Sequence, residues 1–179
     1  RYRDVDGDGI PYRTLPGTHS EKGSYFTRGS SHDENAVYSE DSATYVRIMD
    51  RLIKKHNTAK TYIPAPVYYN TEKPSSYGII YYGSSMYATE EAVDILQSEG
   101  NSMNALRIRS FPFHDEIHDF ISKHDTIFVV EQNRDAQMRS LLINELEINP
   151  SKLVKVLNYD GTPITADLIA KSVNQYLSK

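Results

Sequence analysis

Thr126–Leu141, TIFVVEQNRDAQMRSL, is the stretch whose reading decides the fold. Thr126–Val130 is a short run of β-branched and aromatic residues. It is too apolar for a surface strand and too short for a helix, which fits a strand buried on both faces in a largely parallel sheet. Glu131-Gln132-Asn133 breaks the run. Arg134–Leu146 then reads as a helix, with Met138, Leu141, Leu142 and Glu145 at three- and four-residue spacing. Asn133 can cap that helix through its side-chain oxygen. A strand that ends in polar residues and opens into a helix is also where open α/β sheets place ligands or partners.

The same grammar extends in both directions. Tyr77–Tyr82 (YGIIYY) is a second buried-strand candidate. It ends in Gly83-Ser84-Ser85 and is followed by a helix over Thr89–Glu99 that Gly100 stops. Asn104–Ile108 gives a third strand, and Phe111-Pro112-Phe113 leads into a helix over Asp115–Lys123. Leu153–Leu157 is the last strand, followed by the turn Asn158–Gly161 and a helix over Thr165–Leu177. Val67–Asn70, entered through Pro64 and Pro66, suits a sheet edge. Strands alternating with helices predict an α/β three-layer sandwich with a mainly parallel sheet and right-handed crossovers. Upstream, Asp41 or Ser42 can start a helix running to about Lys60, with Tyr45, Ile48, Met49, Leu52 and Ile53 along one face.

Residues 1–41 are sequence of another kind. They hold more than half of the nine glycines, with the turn signals GDG, LPG, EKG and RGSS. They read as an extended Gly-rich arm or linker from a preceding domain, and residues 42–179 as the α/β domain. The chain opens on Arg1 in polar sequence, as a fragment would.

Composition excludes several functions. A net charge of −4 without a polybasic segment offers no footprint for nucleic acid or a membrane surface. With no cysteine there is no disulfide framework, no Cys-ligated iron–sulfur cluster and no thiol nucleophile in this chain. That fits a cytoplasmic protein. No apolar run approaches the roughly 20 residues of a membrane span.

Two motifs resemble metal sites. Asp4-Val5-Asp6-Gly7-Asp8-Gly9 matches the opening of a calcium-binding EF-hand loop, but the twelfth position holds Leu15 instead of the bidentate Glu, so an Asp/Gly-rich turn is expected. His114 and His118 stand four apart, yet the segment reads HDEIH rather than HExxH, and His114 occupies a helix-cap position. Neither is taken as a metal site. Gly83–Ser85 and Glu131–Asn133 leave one alternative, a free-standing domain that binds small anions at its strand ends.

Five segments together carry a family resemblance: DGIPYRTLPGTH at Asp8–His19, YFTRGSSHDE at Tyr25–Glu34, RIRSFPF at Arg107–Phe113, VVEQNRDAQMRSLL at Val129–Leu142 and NYDGTPIT at Asn158–Thr165. In this order they closely resemble the C-terminal domain of the α subunit of 2-oxoacid:ferredoxin oxidoreductases, particularly the 2-oxoglutarate type. Departures include His114 in place of a helix-starting Asn and Ser31 in place of the usual Gly in an RGSGH-like loop.

The resemblance implies a fold similar to the C-terminal domain of transketolase. It also implies a thiamine-diphosphate enzyme that decarboxylates a 2-oxoacid, passes electrons through an iron–sulfur cluster to ferredoxin, and forms acyl-CoA and CO2. Thiamine diphosphate, Mg2+ and the cluster are expected elsewhere, on the thiamine-binding β subunit or on separate chains. No catalytic residue is assigned to this chain, which is expected to organise and dock. Tyr12, Arg13, Thr27, Arg28, Gly29, Ser30 and His32 are the candidates for approaching substrate or a partner subunit, because an arginine can pair bidentately with a carboxylate. Glu131, Gln132, Asn133, Arg134 and Gln137 are the candidates for inter-subunit or inter-domain contacts.

Overall fold

The computed structural model describes residues 1–13, 15–23, 31–70 and 72–178. They form two compact units, Arg1–Ile63 and Pro64–Lys179.

The first unit is built on helix α1 (Ser42–Ala59). Asp41 caps it by accepting from the Thr44 N–H at 2.8 Å. Residues of the arm pack on its later turns. Gly9, at φ +83°, lies so close to the Lys54–Lys55 backbone that a Cβ there would overlap it. Arg51 Nη1 donates to the Gly9 carbonyl at 2.9 Å. The helix therefore groups with residues 1–41 instead of with the sheet. Of its expected apolar face only Ile48 is buried, whereas Tyr45, Leu52 and Ile53 stay exposed. The described arm residues that share a cavity with Ile48, Met49 and Leu52 are Tyr2, Pro11, Arg13, Ser31 and His32.

The second unit carries a five-stranded sheet in the order β1-β3-β2-β4-β5. The strands are β1 (Val67–Tyr69), β2 (Tyr77–Tyr82), β3 (Asn104–Ile108), β4 (Thr126–Glu131) and β5 (Leu153–Leu157). Helices α2 (Met86–Ser98), α3 (Asp115–Lys123), α4 (Gln137–Leu146) and α5 (Ala166–Leu177) follow β2 to β5 in turn. β1 is an antiparallel edge on β3, and the other pairings are parallel.

Alternation along the strands divides the core. Ile79, Tyr81, Ala105, Phe128 and Val130 face α2 and α5, packing on Ala92, Val93, Leu96, Ile169, Ala170 and Val173. Ile80, Leu106, Ile127 and Val129 face α3 and α4, packing on Ile117, Phe120, Ile121 and Leu142. Each buried Val, Leu, Ile or Phe side chain among these contributes roughly 1.5–3 kcal/mol through burial. The three-layer α/β architecture and its mainly parallel sheet are as the apolar runs predict. Gly78 is fixed by close approach, since a Cβ there would lie 2.6 Å from Ile127 Cδ1 and 2.9 Å from Phe120 Cε1.

Boundaries differ at informative places. β4 runs one residue further than expected, because Glu131 still pairs with Leu157. α4 begins at Gln137, not Arg134: Ala136 adopts φ +52°, so the chain makes a full turn before the helix starts. α2 begins at Met86, three residues early, continuing directly from the Gly83–Ser85 turn. Among the described residues no helix is long and apolar enough to cross a membrane.

Candidate functional site at the strand ends

β2 and β4 are hydrogen-bonded neighbours whose following helices leave to opposite faces, α2 to one and α4 to the other. The chain reverses its winding there. In open α/β sheets the crevice beyond the carboxyl ends at such a reversal is where ligands and partners sit.

Glu131 organises this end. It is fully buried, and its carboxylate accepts from Met138 N–H at 2.8 Å, Arg139 N–H at 2.9 Å and Asn133 Nδ2 at 2.8 Å. Two of these donors belong to the first turn of α4, so a side chain from the preceding strand occupies the positive end of that helix. Burial, then the Glu131 charge, raises the Tyr82 phenol above its usual range. Asn133 Oδ1 accepts from Asp135 N–H at 3.1 Å and Gln137 N–H at 3.2 Å, so it supports the turn and the first helical residue as a cap would.

Gln132 ties three segments together. Its Nε2 donates to Ser84 Oγ at 2.9 Å and lies 3.4 Å from Ser85 Oγ, while its Oε1 accepts from Ile164 N–H at 3.1 Å. The β2 end, the β4 end and the turn before α5 are thereby joined around an open cleft. Ser84, Gln132, Asn158, Tyr159, Gly161, Thr162 and Pro163 line it. Asp160, beside the cleft, is held below the usual carboxylate range by the Thr162 N–H.

Among the described residues the lining offers hydroxyl, amide and ring surface and no cation, so charge gives it no preference for an anion. Of the two strand ends in the anion-binding alternative, the Glu131–Asn133 end has the Met138 and Arg139 N–H donors of α4 taken by Glu131. Arg134 is exposed and pairs with its neighbour Asp135 at 2.8 Å, and Gln137 is exposed at the helix start. Of the five strand-end candidates, Gln132, Arg134 and Gln137 present surface, Asn133 is half-buried, and Glu131 faces inward.

In the first unit Arg13 and His32 come together. Both line a cavity of about 160 Å3 with Tyr2, Pro11, Ile48 and Met49 among its walls. His32 stacks on Tyr2 with ring centroids 4.2 Å apart. Tyr12 is exposed, and its hydroxyl donates to Asp6 at 3.1 Å. Thr27, Arg28, Gly29 and Ser30 lie outside the described residues.

Asp4, Asp6 and Asp8 bring carboxylate oxygens within 4.8 Å of one another. These oxygens also accept from Gly7, Gly9 and Ile10 N–H and the Tyr12 hydroxyl, which is what an Asp/Gly-rich turn requires. His118 Nδ1 lies 3.5 Å from Ser122 Oγ on its own helix.

Sequence reasoning missed the network around His124, which is buried against Asn104 at the opposite, amino end of the strands. The apolar rhythm of Phe120-Ile121 followed by a histidine at the helix end was the available signal.

No family model matches the chain. Over 157 residues, 84% of its length, it is 29% identical to the 2-oxoacid:ferredoxin oxidoreductase subunit alpha of Saccharolobus solfataricus. It spans about a quarter of that relative, 24%. In fold it is similar to the 2-oxoglutarate:ferredoxin oxidoreductase of Magnetococcus marinus, a structure with 2-oxoglutarate, coenzyme A and succinyl-CoA bound. The TM-score is 0.83 at 22% identity, covering 97% of this chain and 30% of that one. It is also similar to a split-gene transketolase, an inactive β4 tetramer, with TM-score 0.51 at 19% identity, covering 63% of this chain and 41% of the other. The resemblance carried by the five motifs is thus borne out: the chain is related in sequence to the alpha subunit of 2-oxoacid:ferredoxin oxidoreductases and has the fold shared with their structures and with transketolase.

Proposed function

We propose that this chain is the C-terminal organising and docking portion of the alpha subunit of a thiamine-diphosphate-dependent 2-oxoacid:ferredoxin oxidoreductase, with 2-oxoglutarate as the 2-oxoacid. The observation that carries the reading is the sequence relationship over 157 residues to an alpha subunit. The complete enzyme yields acyl-CoA, CO2 and reduced ferredoxin. It works in the cytoplasm, away from nucleic acid and membranes. Residues 1–41 serve as the tether from the upstream domains, with α1 packed in the same unit, and the sheet-bearing unit Pro64–Lys179 is the transketolase C-terminal-like domain.

The residues present do not fit the enzyme's prosthetic groups. An iron–sulfur cluster needs thiolates, and the chain has no cysteine. Among the described residues the strand-end cleft is lined by neither the cations nor the carboxylates that a diphosphate and its Mg2+ require. Those groups belong to the thiamine-binding β subunit and other parts of the assembly. This chain supplies shape and contacts: the surface of Gln132, Arg134 and Gln137 for a neighbouring domain or subunit, and Tyr12, Arg13 and His32, together with Thr27, Arg28, Gly29 and Ser30, for approach to the substrate carboxylate.

The test is reconstitution. Affinity capture of the chain should recover a thiamine-binding subunit, and ferredoxin reduction should require that subunit together with the upstream alpha portion. Turnover by the chain alone refutes the reading. In the assembled enzyme, Arg13→Met should raise the KM for the 2-oxoacid; unchanged KM and unchanged assembly remove Arg13 from the substrate side.

A further inference from the structure

The strand-end cleft, about 500 Å3 in volume, carries polar groups beyond those that join its walls. Asn158 lines its β5 side and is only 6% exposed. The Asn158 backbone N–H donates to the Glu131 carbonyl at 3.0 Å, and the side-chain Nδ2 donates to the Thr162 carbonyl at 2.8 Å. Turned over, the amide would set its oxygen against that carbonyl, so its orientation is fixed. Among the described residues no donor reaches Asn158 Oδ1. The fold thus positions a buried acceptor and leaves it for whatever enters the cleft.

Ser84, on the β2 side, supplies the opposite polarity. Gln132 is oriented by accepting from Ile164 N–H, and its Nε2 donates to Ser84 Oγ at 2.9 Å. The serine oxygen is committed as an acceptor, and its hydroxyl proton is left to donate. Thr162 spends its own hydroxyl proton on Asp160 Oδ1 at 2.8 Å, so its oxygen is left to accept. Tyr159, 64% exposed, and Pro163 add ring surface to the same lining.

Charge narrows the choice of occupant. Among the described residues the lining is uncharged, and the Asp160 carboxylate beside it repels an anion. The complement is a neutral group that brings an N–H to Asn158, a carbonyl to Ser84 and an apolar face to Tyr159. Each non-proline residue of an extended polypeptide carries one such donor and one such acceptor. Tyrosine is also among the side chains that anchor protein interfaces. An open cleft suits a segment of chain passing through it better than a small molecule, which a pocket must largely surround.

We infer, on the reading of this chain as a docking portion, that the strand-end cleft receives an uncharged, extended loop of a partner chain. The loop's backbone bonds to Asn158 Oδ1 and the Ser84 hydroxyl, and a proline or other apolar side chain lies on Tyr159.

The experiment is an NMR titration of the full 179-residue chain with the uncharged capped peptide N-acetyl-Gly-Pro-Gly-methylamide, and separately with glycerol and with acetate. With the peptide, saturable shifts are expected at the Asn158 side-chain amide and at the Gly161 and Thr162 N–H groups; glycerol and acetate should leave these signals in place. Ser84→Ala, at an exposed position, should weaken the peptide about fivefold, the effect of one net hydrogen bond. Tyr159→Ala should weaken it at least as much. No saturable shift, an equal response to glycerol or acetate, or full affinity in both variants overturns the site. Reconstitution separates this from the family role. Peptide binding by a chain that recovers no thiamine-binding subunit keeps the cleft and removes that role, and assembly without peptide binding does the reverse.

Discussion

Replacing Glu131 by glutamine keeps the size of the side chain and removes its charge at the start of α4. In the native chain two carboxylate oxygens accept from Met138 N–H, Arg139 N–H and Asn133 Nδ2, at 2.8–2.9 Å and with the residue wholly buried. Glutamine has one oxygen and an NH2 group, and the NH2 group must face a donor. One N–H of the first helical turn is left without an acceptor, at about 1–3 kcal/mol. The favourable interaction of a carboxylate with the helix end is also lost, about 0.3–2 kcal/mol. The sum, about 3 kcal/mol, corresponds to a melting temperature lower by roughly 6–12 °C for a protein of this size. Urea denaturation followed by circular dichroism measures it directly. Glu131→Met, apolar and of similar volume, leaves both helix donors unmet and should be at least as damaging. A Met variant with wild-type stability, or a glutamine variant within about 2 °C of wild type, would refute the internal-cap reasoning.

Gly78→Ala places a methyl group against Ile127 Cδ1 and Phe120 Cε1 in the middle of the sheet, and should cost about 1–3 kcal/mol by overpacking; a neutral result in thermal denaturation contradicts the packing described. The Asp41 carboxyl is held below its usual range chiefly by the Thr44 N–H at the start of α1. A carboxylate with a lowered folded-state pKa contributes stability above its unfolded pKa, near 4, and loses it as pH falls through the folded value. The helix signal of α1 should therefore weaken below about pH 4. Asp41→Asn, which keeps the acceptor without the proton equilibrium, should flatten that dependence in a circular-dichroism pH titration.

Local sequence determined the elements of the second unit. The runs YGIIYY and TIFVV carry apolar residues on both alternating sets of positions, as only a strand covered on both faces accommodates, and NALRI does so apart from Asn104 and Arg107. Pro64 and Pro66 directed Val67–Tyr69 to an edge, where missing donors are tolerated. The five motifs carried the resemblance to the alpha subunit of 2-oxoacid:ferredoxin oxidoreductases. Tertiary structure decided the rest, because the deciding partners are brought together by the fold. Gln132 meets Ser84 and Ile164 only once β4 lies beside β2 and the β5–α5 turn has closed over it. His124 meets Asn104 across 20 residues of chain. Glu131 looked like a residue leaving the strand, yet a left-handed Ala136 swings α4 back so that its first N–H groups point at that carboxylate. The stripe on α1 shows the converse: periodicity marks a face able to be buried, and whether it is buried depends on what the fold sets against it.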